Sequence, residues 1–408
     1  MPHTQHAPPS DKQSLWLLAI LSALMAFASI STDVYLPAMP VMAQALHASA
    51  GQLEMTISGY LIGFSLGQLL WGPLGDRYGR RLPVAVGLLL FIAGCAGCAL
   101  STSAPMVITW RAVQAVGACA SVVLARAMIR DLYQGHRAAQ MLSTLMTVMA
   151  VAPLIGPSVG SLILKLGSWQ LIFWAMTAFA ALTLGALYTL PETLPAARRN
   201  HAPLSQAFTR YGQLLTDRRI IGYASAGGCF YGAMYAYIAG TPFAYIDYYH
   251  LSPQGYGVIF AAGVVGIMLA NQVNARLVKR LGSDQLMRIG TVVAALAGVW
   301  LAVDAWGGIA GLMGLVVPLF VFVACAGLII ANSIVGALQG FPEVAGAVSA
   351  LVGALQYGTG IIGSGMVGAF ADGTPRPMAT VIAGFAVASM LCALWLVRDP
   401  APISEPCS

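Results

Sequence analysis

Asp33 stands inside an apolar run that begins at Leu15, where a carboxylate has no water to solvate it. A charge in such a place is costly and, as a rule, functional, because a desolvated carboxyl trades its charge for a proton. Arg111 is the second buried charge and the expected partner. It lies six residues past Pro105, about 9 Å below the start of its helix at the helical rise, a depth compatible with that of Asp33 just before Pro37. An arginine keeps its charge, so it suits the part of fixed counter-ion to a group that gains and loses protons. The competing reading is a static ion pair that ties two helices together. Arg126 follows fifteen residues later on the same helix, within about 60° of the Arg111 face and roughly 22 Å deeper. There it guards the mouth of a cavity or snorkels to the interface.

Residues 72–81 read Gly-Pro-Leu-Gly-Asp-Arg-Tyr-Gly-Arg-Arg, and concentrate charge in a chain that is only 8% charged. Glycine and proline permit a turn tight enough to send the chain back into lipid. Gly72, Asp76, Arg77, Gly79 and Arg80 are expected to form a gate. Asp76 would latch to a helix end of the other half of the molecule, using the helix dipole, and release it in the next state. Gly156-Pro157 breaks a backbone hydrogen bond and permits a helix bend. Tyr231 and Tyr235, at i,i+4, share a helical face and offer an aromatic wall to flat, weakly polar ligands. Gln114, Asn332 and Gln356 are uncharged polar groups inside apolar segments, placed either to line a cavity or to bond one helix to another.

Other chemistry is absent from the pattern. No glycine-rich loop with a lysine cradles a phosphate, so nucleoside triphosphate is not the expected energy source. No His/Cys/Asp cluster has metal-ligand spacing. Of the seven cysteines only Cys407 lies outside apolar segments, which argues against a disulfide framework. Cys95-Ala-Gly-Cys98 has redox spacing but no further ligand near it, and reads as small residues at a helix contact. No catalytic cluster suggests an enzyme, and no cofactor is expected beyond the proton gradient as energy source.

These residues are positioned by membrane helices. Hydrophobic residues form 58% of the 408-residue chain, too much for a water-soluble fold of this length. Apolar segments run near 14–37, 53–73, 83–103, 105–130, 138–163, 169–190, 220–246, 255–278, 285–304, 308–336, 343–370 and 377–397. Each matches the roughly 20 residues a helix needs to cross a bilayer, and only a helix satisfies its own backbone there. The expected fold is all-α, with twelve transmembrane helices in two six-helix bundles. A tail over 1–13 precedes the first bundle at 14–190; a linker at 191–219 leads to the second at 220–397, and 398–408 form a second tail. The linker's later part, Leu204 to Arg219, is expected to form a short helix on the membrane surface.

Basic residues set the orientation. With both ends inside, Lys12, Arg77, Arg80, Arg81, Arg130, Arg137, Arg198, Arg199, Arg210, Arg218, Arg219, Arg276, Lys279, Arg280, Arg288 and Arg398 are cytoplasmic, and only Lys165 and Arg376 are outside. The net charge of +6 therefore marks topology and calls for no nucleic acid. A degenerate copy of the first hairpin, Asn274-Ala-Arg-Leu-Val-Lys-Arg-Leu-Gly282, falls between segments eight and nine. Such a repeat suggests two halves that rock about a central site.

Several strings together give a resemblance. Gly72, Asp76, Arg77, Gly79, Arg80 and Arg81 resemble the loop signature of the major facilitator superfamily. Arg111, Gln114 and Gly117 resemble its helix-four motif, and Gly156, Pro157 and Gly160 the helix-five motif of its drug/proton antiporter branch. Ser161 and Ala152 stand where that motif has glycines. Thr32-Asp-Val-Tyr-Leu-Pro-Ala38, Arg130-Asp-Leu-Tyr133 and Thr241-Pro-Phe-Ala-Tyr245 resemble Bcr/CflA-type multidrug exporters. The resemblance implies a monomeric, proton-coupled exporter of drug-like small molecules in the bacterial inner membrane, working by alternating access. The alternatives are a metabolite exporter or proton symporter of the same fold, for a nucleoside or an amino acid, and a transport-dead membrane receptor.

Overall fold

The computed structural model describes residues 11–133, 135–200, 204–341 and 344–397; most of the two terminal tails lies outside them. The chain runs as α1 (Asp11–Asp33), α2 (Met39–Ala45), α3 (Ala50–Tyr78), α4 (Arg81–Ala99), α5 (Ala104–Leu132), α6 (Gly135–Leu166) and α7 (Gln170–Leu187). The linker holds α8 (Leu204–Leu214). Then come α9 (Arg218–Pro242), α10 (Pro253–Gly307), α11 (Gly311–Ala324), α12 (Ala326–Leu338), α13 (Ala345–Ala369) and α14 (Arg376–Trp395). Among the described residues there is no strand.

Nine of these runs are long and apolar enough to cross a membrane. The longest, the 55-residue α10, bends at Gly282 (φ 78°) and so makes two spans. The 29-residue α3 and the 25-residue α9 are long enough as well, but richer in polar and small residues on the faces they turn to other helices. Twelve spans result. Their ends follow local chemistry: Ser49 and Gln52 close a capping box on α3, while Asp217 caps α9 and Ser252 caps α10.

Two spans are broken. Segment 14–37 was expected to be one helix; α1 instead stops at Asp33, and a 3-10 turn at Leu36–Ala38 leads into α2. Pro37 accounts for the break, since it has no N–H to donate to the Asp33 carbonyl four residues back, and Pro40 sits in the first turn of α2, where a missing N–H costs nothing. The stretch stays buried throughout, so Asp33 ends a helix inside the protein. Span ten is likewise divided at Cys325 into α11 and α12.

Each bundle packs chiefly on itself, and two seams join them: α3 lies against α13, and α6 against α10. Linker helix α8 touches both α3 and α13, and its Tyr211 donates to the Leu69 carbonyl at 3.4 Å.

Candidate functional site

The break after α1 forms the centre of the first bundle. Asp33 is 4% exposed, and its Cβ sits against α6 at Gly156. At Gly160, one turn on, any Cβ would run into the Val34 carbonyl. The Gly-Pro pair of α6 thus does more than permit a bend: glycine at 156 and 160 lets α6 reach the broken end of α1.

Arg111 of α5 is fully buried. Its Nη1 donates to the Ser31 carbonyl at 2.6 Å and to Gln114 Oε1 at 2.7 Å. The guanidinium lies 4.1 Å from the centre of the Tyr35 ring and 4.5 Å from that of Tyr60. Nε and Nη2 have no hydrogen-bond partner and face these aromatic surfaces. Ser31 Oγ and Tyr60 Oη are 2.6 Å apart, and Tyr35 Oη is 2.9 Å from Thr56 Oγ1. The direct Asp33–Arg111 ion pair expected from the sequence is not formed: the ion pairs within 4 Å among the described residues both belong to Arg80. The reason is the helix break. It leaves last-turn carbonyls of α1 without intrahelical donors, and Arg111 satisfies one of them, two residues before Asp33. The two charges are coupled through the end of a helix.

An aromatic chain leads from this clamp into the second bundle. Ring centroids are 5.9 Å apart for Tyr60–Phe64, 4.6 Å for Phe64–Tyr357, 5.6 Å for Tyr357–Tyr231 and 6.0 Å for Tyr231–Tyr235. Tyr231 and Tyr235 share a face as expected and are half-buried, and Tyr357 of α13 completes their cluster. Arg126, half-buried, has its Nε enclosed without a partner and lies within electrostatic reach of Tyr231 and Tyr357.

The polar residues expected to line a cavity are engaged in helix contacts. Gln114 Nε2 donates to Cys95 Sγ at 2.9 Å. Asn332 Nδ2 donates to Asn274 Oδ1 at 2.7 Å, and Gln356 Nε2 to Ser333 Oγ at 3.4 Å. A separate apolar cavity of about 450 Å³ lies between α1, α6 and α7. Ile30, Val34, Ile155, Gly156, Met176 and Phe179 are among its walls, so it borders the Asp33 break.

The hairpin between α3 and α4 departs from expectation. Asp76 pairs with Arg80 inside its own half, at 2.7 Å, and its backbone carbonyl accepts from the Asn200 N–H at 2.9 Å. The ionic hub is Arg80, whose Nε also donates to Asp131 Oδ2 at 2.8 Å. Burial opposes the Arg80 charge, but Asp131 and Asp76 outweigh it and hold its pKa above the ordinary arginine value. The carboxylate at a helix N-terminus is Glu192, which accepts from the backbone N–H groups of Arg80 at 2.8 Å and Arg81 at 3.1 Å and so caps α4. Gly79, at φ +89°, makes room, since a Cβ there would lie 2.7 Å from Glu192 Oε2. Gly72 faces open space, and Arg77 has no ion pair within 4 Å.

Tyr35, Tyr60, Tyr357, Asp131 and Glu192 were not singled out from the sequence as site residues. Tyr35 and Asp131 stand inside strings that were noticed, Thr32–Ala38 and Arg130–Tyr133, so a signal existed, and Glu192 stands in the linker at 191–219. Tyr60 and Tyr357 have none, because their place depends on two helices meeting.

A buried carboxyl and a clamped arginine at a helix break, in one of two helical bundles joined by seams, define a membrane transporter rather than an enzyme. The chain belongs to the major facilitator superfamily, whose family model matches residues 19–364. It is similar to the MFS-type transporter YdgK of Bacillus subtilis (32% identity, covering 96% of this chain and 98% of that one). It also resembles the bicyclomycin resistance protein homolog of Haemophilus influenzae (27%, 93% and 94%) and multidrug resistance protein D of Escherichia coli (27%, 85% and 87%). Among solved structures, a D-xylose-proton symporter superposes with a TM-score of 0.74 at 18% identity, covering 95% of this chain and 97% of the other.

Proposed function

We propose that this protein exports drug-like small molecules across the bacterial inner membrane in exchange for protons, by alternating access of two bundles. The observation that carries this is Asp33: a carboxyl buried at a helix break, without an ion pair, while the nearby cation is held by other partners. Such a group exchanges a proton without collapsing the clamp around Arg111, which is what a coupling site must do. Relatives named for bicyclomycin and multidrug resistance support drug-like cargo.

Both termini and the Arg80 hub are cytoplasmic in this reading, supported by the bias of basic residues to that side. The two halves of a rocking pore lie in one chain, so a monomer embedded in lipid suffices, and no cofactor is needed. Cargo is held between the halves against Tyr231, Tyr235 and Tyr357. The apolar cavity beside Val34 and Gly156 supports a second location, since its volume is in the range of small-molecule sites. Asp33 serves proton coupling with Arg111 holding the helix end, and the Arg80 hub with Asp76, Asp131 and Glu192 serves as the cytoplasmic gate.

The deciding experiment uses sealed vesicles with an imposed pH gradient and a fluorescent cationic or neutral drug. Drug should accumulate on the side from which protons leave. Accumulation together with protons would make the protein a symporter, and gradient-independent equilibration would remove proton coupling.

A further inference from the structure

Glu54 is a second buried carboxyl, and nothing in the proton pathway above uses it. It is 4% exposed, its Oε2 is enclosed with no hydrogen-bond partner, and no cation lies within 4 Å of it among the described residues. It faces a small pocket of about 20 Å³, room for roughly one water. Gly240 of α9, Phe243 and Ala244 of the π-helical turn after it, Val367 of α13, and Pro375 and Met378 at the start of α14 are among the walls, and Glu54 is the one titratable residue in that lining. The charged group near enough to act on it is Asp372, of the same sign, on the loop after α13. That carboxylate accepts from the Thr374 N–H at 2.8 Å and from its hydroxyl at 2.7 Å.

The position lies in a seam between the halves. Gly51, Glu54 and Ser58 stand at i, i+3 and i+7, on one face of α3. Gly51 packs so closely on Gly368 of α13 that a Cβ would collide with the Gly368 carbonyl. Ser58 Oγ lies 2.7 Å from Ser364 Oγ. Glu54 is therefore enclosed between two of the closest contacts joining the bundles at the end opposite the Arg80 hub.

We propose that Glu54 is a proton-operated latch of the periplasmic gate: it carries a proton while the seam of α3, α9 and α13 is shut, and returns it to water when the seam parts. A charged Glu54 in the closed seam would have no cation, no donor to Oε2 and Asp372 as its charged neighbour. The charge is relieved by taking a proton or by opening to water. Closing therefore takes up a proton, acid favours the shut gate and alkali the open one. The proton comes from and returns to the periplasm, so the latch leaves the exchange stoichiometry to Asp33. It lets the more acidic side pull the emptied exporter shut, which is the return step of the cycle. The orientation and the direction of the proton gradient rest on the reading given under Proposed function.

The test is a distance measurement on the full chain in lipid nanodiscs, with native cysteines replaced by serine and spin labels at Gln44→Cys and Phe370→Cys, both exposed positions. Without drug, the ratio of long to short distances should rise with pH, by up to about tenfold per pH unit if one proton is involved. Glu54→Gln, neutral and of the same shape, should hold the short distance across the range, while Glu54→Asp should keep a pH-dependent transition. An unchanged pH transition in Glu54→Gln overturns the latch, and so does an equal shift at every pH, which would mean a packing role only. This readout needs no transport. If Asp33→Asn vesicles still concentrate drug against its gradient, the coupling role of Asp33 fails on its own, and if wild-type vesicles only equilibrate drug whatever the pH gradient, the antiport reading fails, in either case whatever the latch does.

Discussion

Arg111 shows why residue identity matters more here than charge. It satisfies a helix-end carbonyl and a glutamine while stacking between two tyrosine rings, a set of contacts that requires a planar cation with several donors. Arg111→Lys keeps the charge but loses the stack, so export should fall for every drug, by about tenfold or more, in a resistance or vesicle assay. Asp33→Asn should abolish gradient-driven export while the protein remains folded and monodisperse, because the amide conserves shape but cannot exchange the proton. Full pumping of both neutral and cationic drugs by that variant would take Asp33 out of the mechanism. Tyr231→Ala and Tyr235→Ala should act unevenly across a panel of unrelated drugs. Each removes aromatic area from a half-buried cluster, and a flat cargo would feel the loss more than a compact one. If both match wild type across the panel while well expressed, cargo sits elsewhere, and the apolar cavity beside Gly156 becomes the site to fill.

Elements meet at the helix-one break and at the hairpin. At the break, α6 approaches so closely that Gly160 has no room for a side chain. Gly160→Val should cost about 1–3 kcal/mol by overpacking, read as a lower unfolding temperature in detergent, and should impair transport more than its stability cost explains. At the hairpin, Arg80 ties α3 and the end of α5 together, with side-chain exposures of 8% for Arg80 and 13% for Asp131. Arg80→Ala leaves Asp131 without its cation and should destabilise by about 3 kcal/mol or more. Arg77→Ala, with no ion pair to lose, should unfold within a degree or two of wild type, about the range of a surface change. Equal losses for the two variants would mean that the hub is not what holds this hairpin.

At the scale of the whole molecule, the Arg80 hub closes one end of the first bundle, while Gly51–Gly368 and Ser58–Ser364 join the bundles at the other. A transporter of this kind must part the second set when it opens at that end. Orientation decides which end faces the cytoplasm, and the basic residues argue for the hub end. A reporter fused after Ser408 that works only when folded in the cytoplasm should be active. Activity from a periplasmic reporter at that position would invert the molecule and every direction assigned to its cycle.

What the sequence determined by itself follows from physics that is local along the chain. Apolar length against bilayer thickness fixes twelve spans, and backbone hydrogen bonding in lipid makes each a helix. The basic loops suggest an orientation, and the hairpin with its worn copy suggests two related halves. Asp33, Arg111 and the Tyr231–Tyr235 face were visible because a charge or an aromatic pair stands out in an apolar run. The tertiary structure decided what each of these touches. Arg111 holds the end of α1 instead of Asp33, because the helix stops at Asp33 and its last-turn carbonyls there, that of Ser31 among them, need a donor. Asn332 and Gln356 bond neighbouring helices, because Asn274 and Ser333 happen to face them. Glu54 stayed unremarked near the start of a helix, where a sequence offers water as its surroundings. Only the packing of α9, α13 and α14 over it, from far along the chain, turns that carboxyl into a buried one.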